Sequence, residues 1–192
     1  MKLKELKNKN EKYMERNTQH NIISDSMIEA AENIRKVEIA DAKAIVDIYN
    51  YYVENTAISF ETEALTVNEM AERIKEISSQ FPYFVYEKDG KILGYCYAHQ
   101  WKERAAYSKT LETTIYIDKD VRHQGLGRIM VKLLIDLCRN EGYRALIACI
   151  TQGNEASIKM HESLGFKQVS EFKEVGFKFD TWLDVVDLEL LL

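Results

Sequence analysis

Arg122-His123-Gln124-Gly125-Leu126-Gly127-Arg128 is the stretch whose setting decides how this chain is read. Before it, Leu111 to Asp118 is rich in β-branched residues and reads as a strand. After it, Ile129, Leu133 and Leu137 recur with Met130, Leu134 and Cys138 at helical spacing, and Gly142 stands near the C-terminal end. Gly125 and Gly127 let the backbone come close to a bound group and take positive φ where needed. At such a strand-to-helix junction the first helical amides point outward together, with the helix dipole behind them, which is how a pyrophosphate is held. Arg122 and Arg128 add positive charge at the rim. The same string is also met at turns that bind nothing, so the flanking strand and helix carry the argument. No Gly-Lys-Ser/Thr follows, which excludes a Walker loop, and Met130 stands where a dinucleotide fingerprint needs its third glycine.

Working outward from that loop, Ile34 to Ile39 alternates apolar and charged residues like a half-buried strand. Asp41 is placed to cap a helix whose buried stripe is Ile45, Ile48, Tyr49, Tyr52 and Val53. Thr66-Val67-Asn68-Glu69 has the form of a capping box, followed by Met70, Ile74 and Ile77 on one face. Tyr83 to Tyr86 and Ile92 to Tyr97 flank Asp89-Gly90, the pair that a tight hairpin turn favours. Arg144 to Ile150 reads as a strand leading to Asn154, a good N-cap for a short helix ending near Gly165. Phe166 to Leu192 reads as two antiparallel strands joined around Phe179-Asp180. The order β-α-α-β-β-β-α-β-α-β-β predicts an α/β (α+β) domain, with a mixed sheet of about seven strands flanked by about four helices. Residues 1–33, which mix Lys, Glu and Asn with a helical signal only from Ile23, Met27, Ala30 and Ala31, read as an extension to a domain spanning 34–192.

Composition narrows the function classes. A chain of 192 residues, 46% hydrophobic with 11 Tyr and 7 Phe, can bury a substantial core. Its net charge of −5, without a basic stripe carrying interleaved aromatics, argues against nucleic acid or an anionic membrane as partner. Cys96, Cys138 and Cys149 lack CxxC spacing and each lies in an apolar run, so buried free thiols are expected, and no metal site. The charged N-terminus has no apolar h-region and no stretch is long enough to span a bilayer, so the expected location is the cytoplasm.

With these residues in view, the chain resembles the GNAT acetyltransferase superfamily, whose motif A is Arg/Gln-x-x-Gly-x-Gly/Ala after the fourth strand of a mostly antiparallel, twisted sheet. Glu112-Thr113-Thr114-Ile115-Tyr116-Ile117, the Arg122 to Gly127 loop, Asn154 to Ile158 with His161 to Phe166, and Val175 to Phe179 with Trp182-Leu183-Asp184 are similar to phosphinothricin acetyltransferases and their methionine sulfoximine-acetylating relatives. Trp101 to Tyr107 falls where that family has its substrate loop. The resemblance runs from about Ile34 to Leu192 and implies acetyl-CoA as cosubstrate, a small-molecule amine as acceptor and a homodimer. Acetylation of a protein N-terminus or lysine, and a non-catalytic CoA sensor, stand as the alternatives.

The resemblance also implies roles. Acetyl transfer needs a neutral amine, whereas an amino acid's α-amine is largely protonated near neutral pH, so a base must take its proton. Glu112 is the candidate, because it lies opposite Leu111, Thr113 and Ile115 on its strand and faces a cleft if those three face the core. Backbone groups of Ile115, Tyr116 and Ile117 are expected along the pantetheine arm, and those of His123, Gln124, Gly125, Leu126, Gly127 and Arg128 around the pyrophosphate. Asn154 and Ser157 are expected at the CoA arm. His161 stands where many GNAT enzymes have a tyrosine acid; general acid, CoA hydrogen-bonder and structural histidine are its three readings. An amino-acid-like acceptor calls for cationic and aromatic walls, for which Phe60, Lys102, Arg104, Tyr107 and Lys178 are the candidates.

Overall fold

A computed structural model describes residues 33–121 and 125–192. Expectations for residues 1–32, and for Arg122, His123 and Gln124, lie outside the described residues. Elsewhere the predicted order holds: β1 (Ile34–Lys36), α1 (Ala42–Asn55), α2 (Val67–Ser78), β2 (Tyr83–Lys88), β3 (Lys91–Gln100), β4 (Thr110–Ile117), α3 (Leu126–Asn140), β5 (Ala145–Thr151), α4 (Glu155–Ser163), β6 (Lys167–Lys178) and β7 (Thr181–Leu191). The seven strands form one sheet in the order β1-β2-β3-β4-β5-β7-β6. Every neighbouring pair is antiparallel except β4 and β5.

Local chemistry explains most of the boundaries. Thr66 and Glu69 form the capping box reciprocally, the Glu69 amide reaching the Thr66 hydroxyl and the Thr66 amide reaching the Glu69 carboxylate at 2.7 Å. Asp89 and Gly90 both sit at positive φ (52° and 72°), as a two-residue hairpin turn requires. Phe179 and Asp180 do the same between β6 and β7 (51° and 55°). Asn154 caps α4 by accepting from the Ser157 amide.

Three expectations are corrected. The first strand stops at Lys36, because Ile39–Asp41 turns into a 3₁₀ helix. Asp41 precedes α1 but gives it no side-chain cap; its carboxylate takes the Glu38 amide and both terminal nitrogens of Arg35, at 2.7 and 2.8 Å, so it ties β1 to the turn. On α3 the buried stripe is Leu126, Met130, Val131, Leu134, Ile135 and Cys138, while Ile129, Leu133 and Leu137 are half-buried, because the helix is rotated toward the i+4 set.

One face of the sheet packs on α1 and α2 through Ile45, Tyr49, Tyr52, Met70, Ile74, Tyr83 and Tyr95. Tyr49, Tyr52 and Tyr95 each contact the Tyr116 ring at centroid distances of 5.1, 5.1 and 5.6 Å. Such ring pairs add roughly 0.5–1.5 kcal/mol each beyond area burial. On the opposite face, Cys96 reaches the Met130 carbonyl of α3. Among the described residues, no helix is long and apolar enough to cross a membrane.

Candidate active site

The site begins where the sheet comes apart. Pairing between β4 and β5 ends at Glu112 and Ile147, although β4 continues to Ile117 and β5 to Thr151. At the fork the Thr113 hydroxyl donates to the Ile147 carbonyl. Beyond it, every second residue of β4 turns its main-chain groups toward the gap, and the register shows which. The Asp118 amide bonds the Leu93 carbonyl, so Asp118, Tyr116 and Thr114 use their backbone groups on β3. Ile115 and Ile117 therefore face the gap. This corrects the expectation for Tyr116: its main chain belongs to the β3 ladder, and its side chain to the tyrosine cluster. The Ile117 carbonyl accepts from the Tyr52 hydroxyl, which leaves the Ile115 groups and the Ile117 amide to take up an added chain.

The start of α3 abuts this open edge. A side chain grown from Gly127 would meet Ile115 Cδ1 at 3.7 Å and Ile117 Cγ1 at 4.0 Å. Gly125 is the N-cap, at φ 76°, and supplies no side-chain cap, so the first amides of Leu126, Gly127 and Arg128 keep their outward orientation for an anion. Arg128 is exposed beside them.

Glu112 lies at the fork with its side chain on the same face as Thr114 and Tyr116, as strand alternation requires. Leu111 and Thr113 are buried on the opposite face and Ile115 is half-buried, as expected. The Glu112 side chain is 29% exposed, with Oε1 3.9 Å from His99 Nε2 on β3. Burial raises its carboxyl above the ordinary 4.5, charge on His99 works against that rise, and Asp187 on β7 adds to it. A carboxylate held this way binds a proton more readily than a surface glutamate, which suits a base.

Loop 56–65, between α1 and α2, spans the same face. It is pinned at several points. The Thr151 hydroxyl of β5 donates to the Ala57 carbonyl at 2.8 Å. Ser59, itself buried, shares a hydrogen bond of 2.9 Å with the Tyr49 hydroxyl. Lys178, only 5% exposed, donates from Nζ to the Ser59 carbonyl at 2.7 Å. Two residues earlier on β6, Gly176 receives the Phe60 ring so closely that a Cβ there would stand 2.2 Å from Phe60 Cε2. Lys178 is thus corrected from a free cation to a buried ammonium bound to a main-chain carbonyl, its pKa drawn down by burial. Glu61 pairs with Arg73 of α2 at 2.8 Å.

The second loop expected at the acceptor, Trp101 to Tyr107, is organised differently. Lys102 Nζ sits 3.9 Å from the centroid of Trp101 and 5.4 Å from that of Tyr107, and the two rings meet edge to face. Lys102, Glu103, Arg104 and Tyr107 line a shallow, open depression that does not include Glu112. The structure therefore does not bring Lys102 and Arg104 against the carboxylate.

His161 is 2% exposed, with Nδ1 2.9 Å from the Ser157 carbonyl. A carbonyl accepts only, so Nδ1 carries the proton and Nε2 the lone pair. Nε2 has no partner among the described residues, and burial pulls the imidazole below 6.5. This arrangement accepts a hydrogen bond; it is poorly suited to donate a proton.

Residues missed in the sequence reading are His99, Tyr97, Ser59, Tyr49 and Gly176. For His99 and Tyr97 the signal would have been the β3–β4 register, which pairs His99 with Glu112 and Tyr97 with Thr114; Ser59, Tyr49 and Gly176 meet only through contacts distant in sequence. Cys149 is also corrected: Cys96 and Cys138 are buried, but Cys149 is exposed, because it faces out beyond the fork, where β4 has left β5. Among the described residues no group of His, Cys, Asp and Glu is arranged to hold a metal ion.

A family model described as an acetyltransferase (GNAT) domain matches residues 34–186. The chain is 41% identical over 155 residues to the phosphinothricin N-acetyltransferase of Alcaligenes faecalis, covering 80% of this chain and 79% of that one. It is 34% identical over 160 residues to the L-methionine sulfoximine/L-methionine sulfone acetyltransferase of Salmonella typhimurium, covering 83% of this chain and 94% of that one. Among solved structures, a GNAT superfamily phosphinothricin acetyltransferase from Sinorhizobium meliloti in complex with acetyl-CoA matches with a TM-score of 0.80 at 32% identity, over 83% of this chain and 87% of that one.

Proposed function

The chain belongs to the GNAT family of acetyl-CoA-dependent N-acetyltransferases, and from that premise we propose that its acceptor is the amine of a small amino-acid-like molecule of the phosphinothricin, methionine sulfoximine or methionine sulfone type. The observation that carries this reading is the fork between β4 and β5, with Glu112 at its apex and the capless start of α3 at its mouth. The described residues fit acetyl-CoA: the Leu126 to Arg128 amides hold the pyrophosphate, a role to which Arg122, His123 and Gln124 are assigned from sequence alone, and Ile115 and Ile117 hold the pantetheine. When bound, the cosubstrate supplies an acetyl thioester.

Glu112 takes the proton from the acceptor's ammonium, so that a neutral nitrogen faces the thioester. His161, Asn154 and Ser157 line the CoA side, where the His161 lone pair accepts a hydrogen bond. Phe60 forms an apolar wall held by Gly176, and Lys178 fixes the loop that carries it. Arg104, Lys102 and Tyr107 meet the acceptor's carboxylate or phosphinate from the solvent side. Residues 34–192 make up the transferase domain and 1–33 an extension to it.

The protein acts as a homodimer in the cytoplasm. Support for the dimer comes from Phe172, Val175, Phe177, Phe179 and Trp182, all exposed on the β6–β7 hairpin, with β6 on the sheet edge. A monomer in sedimentation at micromolar concentration contradicts it.

Kinetics with L-methionine sulfoximine, L-methionine sulfone and phosphinothricin, set against plain amines and short peptides, test the acceptor class. The amino-acid-like compounds are expected to have the highest kcat/KM. Faster acetylation of peptides overturns this reading, and acetyl-CoA binding without turnover of any amine makes the protein a binding module.

A further inference from the structure

His99 stands directly opposite Glu112 in the β3–β4 register. Its Nδ1 lies 3.0 Å from the Gln100 carbonyl. That carbonyl can only accept, so Nδ1 bears the proton and the lone pair is on Nε2. Nε2 is the atom that faces the Glu112 carboxylate, 3.9 Å from Oε1. With both groups unprotonated, two lone pairs face each other and nothing bonds them. One added proton resolves this, either on Glu112, donated toward Nε2, or on Nε2 as an imidazolium beside the carboxylate. The His99 side chain is 33% exposed, so a proton that reaches it has a route to water.

We propose that His99 acts through Glu112, as a positioning residue that accepts the proton the glutamate has taken from the acceptor and passes it to solvent. This rests on Glu112 being the base of the proposed reaction. The proton leaves the acceptor's ammonium nitrogen for a Glu112 oxygen, moves to His99 Nε2 to give an imidazolium, and is lost from there to water. No electrons are exchanged, and both side chains end in their starting state. The other ionisable groups that face Glu112 are Tyr97 on β3, Cys149 on β5 and Asp187 on β7. Of these, Asp187 repels negative charge on the glutamate and so favours the protonated pair. Neither Tyr97 nor Cys149 offers a comparable acceptor, since both keep their own proton through neutrality.

The test is the pH dependence of kcat for wild type, His99→Gln and His99→Ala, with acetyl-CoA KM as the check that each variant is folded. Charge on His99 holds the Glu112 carboxyl down, so removing it is expected to move the acid limb to higher pH and, with the relay lost, to lower the plateau several-fold. Added imidazole is expected to restore part of the turnover of His99→Ala. Superimposable profiles, or a loss of turnover equal at every pH and indifferent to imidazole, overturn the relay. Glu112→Gln separates the two readings. If it loses turnover while the His99 variants keep the wild-type profile, only the relay fails; if it keeps full turnover, the base assignment fails as well.

Discussion

The two loops proposed to wall the acceptor side are held in opposite ways. Loop 56–65 is fastened by other parts of the fold: by Thr151 of β5, by Tyr49 of α1 and by Lys178 and Gly176 of β6. Loop 101–107 is fastened mainly by itself, with Lys102 lying over Trp101 and Tyr107 and the Gln100 amide reaching the Lys102 carbonyl. One loop inherits its position from the sheet, at the cost of tying a substrate wall to the C-terminal hairpin. The other takes its shape from contacts among its own residues. In the proposed site one wall is thus set by the sheet and the other by its own contacts, and the second is where acceptors with different side-chain groups would be told apart.

The largest effect that can break this comparison is at Gly176. Valine there must displace the Phe60 ring, because even the first carbon of its side chain lands 2.2 Å from Phe60 Cε2. Since misplacing a site by about 1 Å costs on the order of 100-fold, acceptor kcat/KM is expected to fall by that much in Gly176→Val. Acetyl-CoA affinity should stay near wild type, and Phe60→Ala in the same chain should recover part of the loss. If both substrates suffer alike, Gly176 serves the sheet and not the loop.

Lys178→Met comes next. It strands the buried Ser59 carbonyl, which costs about 1–3 kcal/mol of stability and raises acceptor KM. It also has a pH signature. Burial lowers the folded-state pKa of Lys178 below 10.5, so the unfolded chain binds more protons at this residue and wild-type stability gains as pH rises through the folded value toward 10.5. Thermal unfolding across the alkaline range should show that gain in wild type and lose it in Lys178→Met.

Arg104→Ala sharpens the other side and has the smallest structural effect. Arg104 is exposed, so the melting temperature should stay within what a surface substitution gives, about 0.5 kcal/mol. Acceptor discrimination should change instead, the anionic acceptors losing several-fold in kcat/KM against plain amines. A fall in stability with unchanged discrimination would mean that the loop is structural and its cation idle.

The element order was legible because each element carries its own local signal. The capping box at Thr66, the Asp89-Gly90 turn and the apolar stripes all act within a few residues. Glu112 was legible for the same reason: strand alternation puts it opposite Leu111 and Thr113 without knowledge of any neighbour. What was not legible depends on register across longer connections. His99 meets Glu112 only because β3 and β4 pair across the 101–109 connection in one particular alignment, and a shift of one residue would point it to the other face. Lys178 looked like a free cation since nothing near it in sequence reveals Ser59, 119 residues away. Cys149 looked buried because an apolar run does not reveal that the neighbouring strand has already diverged.

Of all its residues, the proposed reaction depends most on Glu112 at the fork. Glu112→Gln should be compared with wild type in two readouts, acetyl-CoA binding by calorimetric titration and single-turnover acetylation of a preferred acceptor at neutral pH. Loss of the base is expected to slow acetylation by roughly 100- to 10,000-fold while the binding isotherm stays the same. Undiminished acetylation, or acetyl-CoA affinity that falls in step with the rate, would contradict the assignment.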